Sequence, residues 1–371
     1  MNRYAHITGW GTALPEHVLT NKDLEQMVDT TDEWIVSRTG IRERRIAAPD
    51  QTTASLGADA AIAALRQAGV KPGDVDLIIV ATSSPEHIFP ATACIVQDMI
   101  GASNAGAFDL SAACTGFIFA LNMAAQAIRT GSIDTAVVIG AETISRIVNW
   151  QDRNTCILFG DGAGAFVLQG SDTPGGVLEA VMHADGSGAD VLSLPAGGSK
   201  IPTSADTVAH GLHYVYMEGR PVFRFATRVM AEATREVVEK AGLVLDDINL
   251  VVPHQANYRI LEVAARGLKM PMDKFMINLD KYGNTSTASI PIAAAEAVET
   301  GRLTPGDKVV FVGFGGGLTY GALLAEWTGP FPDRPDVRLE RHRLWARLRS
   351  TGKRLRRKIL SAASRGEELG G

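Results

Sequence analysis

Cysteine is scarce: Cys94, Cys114 and Cys156 are the only three in 371 residues, with no C-x-x-C spacing and no histidine cluster beside them. That excludes a disulfide framework and a zinc site, and it fits a reducing compartment. Aromatic residues make up only 6% of the chain. Positive charge does not dominate, with 36 Lys+Arg against 41 Asp+Glu and a net charge of −5, so the chain as a whole is not built to wrap nucleic acid. Long apolar runs are missing too. The most apolar stretch, 117–128, carries Asn122 and Gln126 and is too short to span a bilayer. The N-terminal MNRYAHITGWG has no apolar h-region of a secretory signal. These absences point to a soluble cytoplasmic protein. Hydrophobic residues reach 46%, mean hydropathy is +0.05, and the length suits two domains or one large fold in two halves. The 38 glycines imply many tight turns and close backbone approaches.

The chain is organised around 108–117, FDLSAACTGF, which reads as a short strand, a run of small residues, and Cys114 at the mouth of a helix reaching about Arg129. Small neighbours let other groups approach the sulfur. A helix start aims free N–H groups and partial positive charge at it, which predicts a lowered thiol pKa and a nucleophile. A buried structural cysteine is the alternative, and the rest of the chain decides against it.

An early strand at 6–8 ends at Gly9. Asn21 caps a helix to about Asp29, Thr31 caps another to Ser37, and the basic cluster Arg38, Arg42, Arg44 and Arg45 follows. Residues 52–68 have helical periodicity closed by Gly69. Residues 76–82 form a continuous apolar run, as in a parallel strand buried on both faces. A helix over 92–100 and strands over 135–140 and 163–168 are predicted, then strands with a long excursion over 171–215. The second half echoes the first: 247–254 resembles 74–81, 275–279 resembles 107–110, and AVETG (297–301) resembles AIRTG (127–131). The last pair is offset by 170, and that offset carries Cys114 onto Asn284. A duplicated β/α half follows, with equivalent loops meeting near a pseudo-twofold axis. His254 ends a strand of the second half, where α/β sites form.

Three reactive types thus converge. Cys114 is the candidate nucleophile, taking an acyl group from a thioester. His254 and Asn284 are neutral N–H donors to a second substrate's carbonyl as an enolate develops on it. The turn Gly315-Gly316-Gly317 presents backbone N–H groups, and the N–H groups of Gly316 and Cys114 are the expected oxyanion donors. No metal is implied, because the candidate ligands lack carboxylate or thiolate company.

These motifs resemble those of the β-ketoacyl-acyl-carrier-protein synthase III family of the thiolase superfamily, over about residues 4–328. The resemblance is carried by DEWIVSRTGIRER (32–44), AACTGF (112–117), FGDGAG (159–164), PHQAN (253–257), GNTS (283–286) and FGGG (314–317). It implies an α/β thiolase-like fold with a five-layered αβαβα core. The halves would be 1–170, with the nucleophile and CoA-binding elements, and 171–330, with the histidine, asparagine and glycine turn. It implies a Cys114–His254–Asn284 triad. Asparagine in place of a second histidine separates the chain from elongating ketosynthases, and the lack of a second catalytic cysteine separates it from degradative thiolases. The implied reaction is ping-pong: an acyl-CoA acylates Cys114, and malonyl-carrier protein then decarboxylates and attacks the acyl-enzyme. Trp34 and Arg153 resemble the pair that sandwiches the CoA adenine, with Thr30 and Arg38 beside it. Gly219, Phe223 and Asn257 match the pantetheine tunnel. Gln255 falls in the same motif and is assigned with Arg224, Arg259 and Arg266 to the carrier-protein contact. Phe89 matches the residue that closes the acyl pocket across a homodimer interface, where a bulky ring favours short primers. No cofactor beyond the CoA thioester substrates is implied.

The chain departs from the family's pattern in places. Thr115 stands where many members have Ala or Gly, and Arg220-Pro221 follows Gly219. The tail 331–371 holds 12 Lys+Arg against 5 Asp+Glu, with Leu344, Leu348, Leu355 and Ile359 near one helical face beside Trp345. It reads either as a basic amphipathic helix for weak docking to anionic lipid or carrier protein, or as a solvated extension that Gly352 interrupts. The leading expectation is a starter of fatty-acid synthesis using a short acyl-CoA, acetyl-CoA first. The runner-up is a specialised relative making a ketone, quinolone or polyketide starter, or transferring the acyl group without decarboxylation. A non-catalytic scaffold is disfavoured by the intact triad.

Overall fold

The computed structural model describes residues 3–331, 335, 337, 348–353 and 355. Two sheets form its frame. In the first, strands run in the order Tyr4–Ala13, Gly162–Ser171, Thr135–Glu142, Leu77–Ala81, Gly106–Leu110. In the second the order is Gly176–Ala184, Thr319–Glu326, Lys308–Gly315, Leu250–Pro253. Leu77–Ala81 pairs in parallel with both neighbours, and Leu250–Pro253 pairs in parallel with Lys308–Gly315, while the remaining neighbours are antiparallel.

Five layers follow from which faces are apolar. Helices Gly116–Arg129 and Ser289–Glu299 lie between the sheets, and one core joins Phe117, Leu121 and Ile290 to Phe166 of the first sheet and Phe311 of the second. Helices Thr53–Ala68 and Thr92–Ile100 cover the outer face of the first sheet. Gly219–Lys240 and Tyr258–Leu268 cover that of the second. This is the αβαβα thiolase-like arrangement.

The helix Thr53–Ala68 begins at a capping box between Thr52 and Ser55 and ends at left-handed Gly69. The first strand is longer than expected, running through Gly9 and Gly11. Those glycines keep it flat against this helix: a Cβ on either would strike the Ala64 backbone. The helix expected from Asn21 is cut to Asn21–Leu24, capped by Thr20 with Asp23. Residues 275–279 supply a single bridge, Phe275 to Val251, and then turn into the short helix Leu279–Tyr282.

The internal repeat is real, but its offset is 173 rather than 170 over most of its length. Left-handed Gly69 matches Gly242, Leu77 matches Leu250, and Thr135 matches Lys308. The 3-10 turn Ala113–Thr115 matches Ser286–Ala288, and their first residues share the same uncommon left-handed backbone, φ 46° and 48°. The central helix of the second half has 11 residues against 14, so only its C-terminal end shows the 170 offset. Cys114 therefore corresponds to Thr287, and Asn284 lies on the approach to the turn.

Of the tail, residues 348–353 are helical and Ser350 Oγ donates to Asp98 Oδ2 at 2.6 Å. Val337 is buried against the outer helices of the first half. Leu344, Trp345 and Ile359 lie outside the described residues.

Candidate active site

A cavity of about 1250 Å³ reaches from Trp34 and Arg38 at the surface to Cys114, His254 and Asn284 at its floor. All three floor residues are buried. Cys114 and His254 come from loops past the ends of strands Gly106–Leu110 and Leu250–Pro253, where parallel sheets leave a crevice, and Asn284 comes from the loop after the short helix Leu279–Tyr282.

Cys114 sits in the 3-10 turn ahead of helix Gly116–Arg129, and its thiol donates to Ser286 Oγ at 3.4 Å. The thiol is not acidified. Burial pushes its pKa up to about 12, with the charge of Glu142 adding to the effect. Loss of solvent outweighs the helix start, and the resting group is a neutral thiol.

His254 follows strand Leu250–Pro253, and its backbone N–H donates to Val312 O at 2.8 Å. Burial lowers its pKa to about 3, so the imidazole is neutral. Ser289 Oγ, at the start of its helix, accepts the Gln255 N–H at 3.4 Å and lies 2.7 Å from His254 Nδ1. With the Ser289 hydroxyl donating to Nδ1, the imidazole proton is on Nε2.

Asn284 is held by its backbone, which donates to Leu158 O at 2.8 Å and accepts from the Gly160 N–H at 3.0 Å. Its Oδ1 accepts the Ser286 N–H at 2.9 Å, so its Nδ2 is the end left to donate. Beneath this loop, buried Arg44 donates to Asn21 Oδ1 and to the carbonyls of Leu19 and Ile157.

Glu142, fully buried, escaped the sequence reading. It accepts from the N–H groups of Ser83 and Ser84, from Ser84 Oγ at 2.6 Å and from Thr287 Oγ1 at 2.9 Å. Burial pushes its pKa up. The cradle ties the end of a first-half strand to the second-half turn beside Cys114. Nothing in the sequence marks it, because its partners are backbone amides and ordinary hydroxyls.

Gly219, Phe223, Arg224, Asn257 and Gly316 line the same cavity. Asn257 caps helix Tyr258–Leu268, accepting from the Arg259 N–H, and its Nδ2 donates to Arg38 O at 3.0 Å. At the mouth, the Arg153 guanidinium lies 5.1 Å from the Trp34 ring centre and that of Arg38 lies 6.0 Å away. The Thr30 hydroxyl is buried without a partner. Arg259 lies outside the cavity lining, over the Phe223 ring at 5.7 Å, and Arg266 is exposed further along its helix. Phe89 does not line this cavity and is 84% exposed.

Gln255 is a correction. It is buried, donating to Pro253 O and Met276 O and accepting the Asn278 N–H, so it braces the histidine loop and presents nothing to a partner surface. Among the described residues no group of three or more His, Cys, Asp or Glu could hold a metal ion.

Comparison with known proteins matches residues 108–186 to the family model of 3-oxoacyl-(acyl-carrier-protein) synthase III and residues 238–327 to that of its C-terminal part. The chain is 57% identical to a β-ketoacyl-(acyl-carrier-protein) synthase III of Symbiobacterium thermophilum, over 86% of this chain and 97% of that one. It is also similar to the crystal structure of 3-oxoacyl-(acyl-carrier-protein) synthase III from Aquifex aeolicus, with 47% identity, a TM-score of 0.81, and coverage of 87% and 100%. The priming β-ketosynthase of the R1128 polyketide pathway superposes with a TM-score of 0.82 at 36% identity, covering 89% and 98%.

Proposed function

Because the chain belongs to the 3-oxoacyl-(acyl-carrier-protein) synthase III family, we propose that this condensing acyltransferase starts fatty-acid chains by joining a short acyl-CoA, acetyl-CoA first, to malonyl-carrier protein. The observation that carries the reading is the meeting of Cys114, His254, Asn284 and Gly316 on one cavity that opens beside Trp34 and Arg38.

In the first half-reaction Cys114 Sγ attacks the thioester carbonyl. The N–H groups of Cys114 and Gly316 receive the oxyanion, and CoA leaves with the proton that the thiol gives up. The thiol starts neutral, so proton loss accompanies attack. In the second, the malonyl thioester oxygen accepts from His254 Nε2–H and Asn284 Nδ2. Carbon dioxide departs, and the enolate carbon attacks the acyl-Cys114 carbonyl. The expelled sulfur takes a proton from solvent, which decarboxylation of the malonyl carboxylate consumes overall, and the 3-ketoacyl-carrier protein leaves. No cofactor enters these steps.

Adenine would slide between Trp34 and Arg153, with Thr30 and Arg38 beside it and pantetheine along Gly219, Phe223 and Asn257. Arg224, Arg259 and Arg266 would face the acidic carrier protein. A cytoplasmic homodimer is part of the reading. Support comes from the edge strand Gly106–Leu110, unpaired on one side among the described residues, and from exposed Ile88, Phe89 and Phe108. Phe89 would then close its partner's acyl pocket.

Intact mass after mixing with a panel of acyl-CoAs, and again after a chase with malonyl-carrier protein, tests the reading. A short-acyl adduct on Cys114 that the chase converts to 3-ketoacyl-carrier protein is expected. An adduct that survives the chase points to a specialised acyl transferase with another acceptor. No adduct with any acyl-CoA overturns the proposal.

A further inference from the structure

The two oxyanion donors sit on loops from different halves, Ala112–Thr115 and Gly315–Thr319, and the distance between those loops sets the width of the oxyanion hole. The loops meet backbone to backbone: a Cβ on Gly315 would lie 2.7 Å from the Cys114 nitrogen and 3.1 Å from Ala113 Cβ. Beside this contact two hydroxyls face each other, Thr115 Oγ1 and Thr319 Oγ1 at 2.6 Å, with Thr115 fully buried. Thr319 also reaches two carbonyls, Ala112 O at 3.0 Å and Gly316 O at 3.2 Å.

Carbonyls only accept, so with the single hydrogen of Thr319 directed at Ala112 O and Gly316 O, it is Thr115 that donates to Thr319. Each carbonyl sits next to an oxyanion donor. Gly316 O belongs to the cavity-lining residue read as the second oxyanion donor. Ala112 O precedes Ala113, whose left-handed backbone (φ 46°) turns the Cys114 N–H.

We propose that Thr115 and Thr319 form a clamp across the two halves that holds the Cys114 and Gly316 N–H groups at the separation a tetrahedral intermediate needs. They are positioning residues, acting through the backbone donors. Thr115, which departs from the small residues its family often carries, is then the clamp's second bolt. The inference rests on the reading of Cys114 as the acylated nucleophile.

The test is single-turnover acylation of the full-length protein by acetyl-CoA, followed by mass, for Thr319→Val, Thr319→Ser, Thr115→Val and Thr115→Ser. A misplacement of about 1 Å at a reacting centre costs about a hundredfold in rate. Thr319→Val is therefore expected to slow acylation by about ten- to a hundredfold, and Thr115→Val by less. Acetyl-CoA affinity should stay unchanged and both serine variants should be restored. A merely structural role would lower the unfolding midpoint and leave the acylation rate and the serine–valine contrast untouched. If a valine variant does not fold, Thr115→Ala against Thr115→Ser decides. Valine or alanine variants that acylate at the wild-type rate, or serine variants as slow as valine, overturn the clamp. Absence of an adduct in the wild type overturns the functional reading and the clamp with it.

Discussion

His254 and Asn284 each have one polar end committed before any substrate arrives: Nδ1 to Ser289, and Oδ1 to the Ser286 N–H. What remains free on both is a donor, and donors are wanted while a thioester becomes an enolate. Asn284→Ala should therefore leave acylation of Cys114 within a few-fold of wild type and slow carbon dioxide release from malonyl-carrier protein by about 10²–10³, the usual cost of one such donor. Mass spectrometry and a coupled CO2 assay separate the two effects. The thiol makes a second prediction. With its pKa near 12, the rate of Cys114 alkylation by iodoacetamide should climb about tenfold per pH unit through pH 9 without levelling; a plateau between pH 6 and 8 would mean a stabilised thiolate instead. The linked stability has a definite sign. His254 falls from 6.5 to about 3 on folding, so the unfolded chain binds more protons between those values. Stability is lost as pH drops through that window, and urea midpoints at pH 5 and 7 should differ in that sense. The sequence offered Cys114, His254 and Asn284 because reactive types in dense motifs stand out. It hid Glu142, Ser289 and Thr319, since a hydroxyl or a carboxylate gains its role only from what folding sets beside it. Gln255 misled for the opposite reason: a motif position says a residue matters, not which way it faces.

Elements whose signals are local were legible. Thr92–Ile100 was expected at its observed limits, and Thr31 and Gly69 are the caps their types announced, while Thr52, expected inside the helix, caps it instead. Thr52→Ala should cost about 1 kcal/mol in urea unfolding with activity retained. What depended on close approach was not legible. Gly9 read as the end of the first strand, yet it and Gly11 lie within it, because the helix beside it leaves no room for a Cβ. Gly140 makes the same point nearer the chemistry: a Cβ there would strike the Thr287 backbone. Gly140→Ala should lower the unfolding midpoint and also slow acylation, by displacing Ser286 and Thr287 from Cys114 and Glu142. Equal acylation rates in a destabilised Gly140→Ala protein would uncouple the two. The repeat was visible because helix ends keep their sequence. Its true offset was not, since a helix three residues shorter and a loop longer by as much cancel before the next strand begins.

At the scale of the molecule the charge is uneven: the tail's net +7 (12 − 5) leaves −12 on the rest. Because Val337 is buried against the first half, the tail should be cut after it, not before. A chain ending at Val337 is expected to keep its acylation rate and to lose binding to anionic vesicles at low salt, an attraction that salt weakens; unchanged vesicle binding assigns the tail no docking role. The buried floor has a consequence for how long the enzyme lasts. Peroxide attacks thiolates, and sulfenic acid formation starts the ladder that ends in irreversible sulfonate. A nucleophile that stays protonated until a substrate fills the cavity is a poor target in the intervals between turnovers. Idle enzyme should therefore outlast oxidative stress that inactivates enzymes with a standing thiolate.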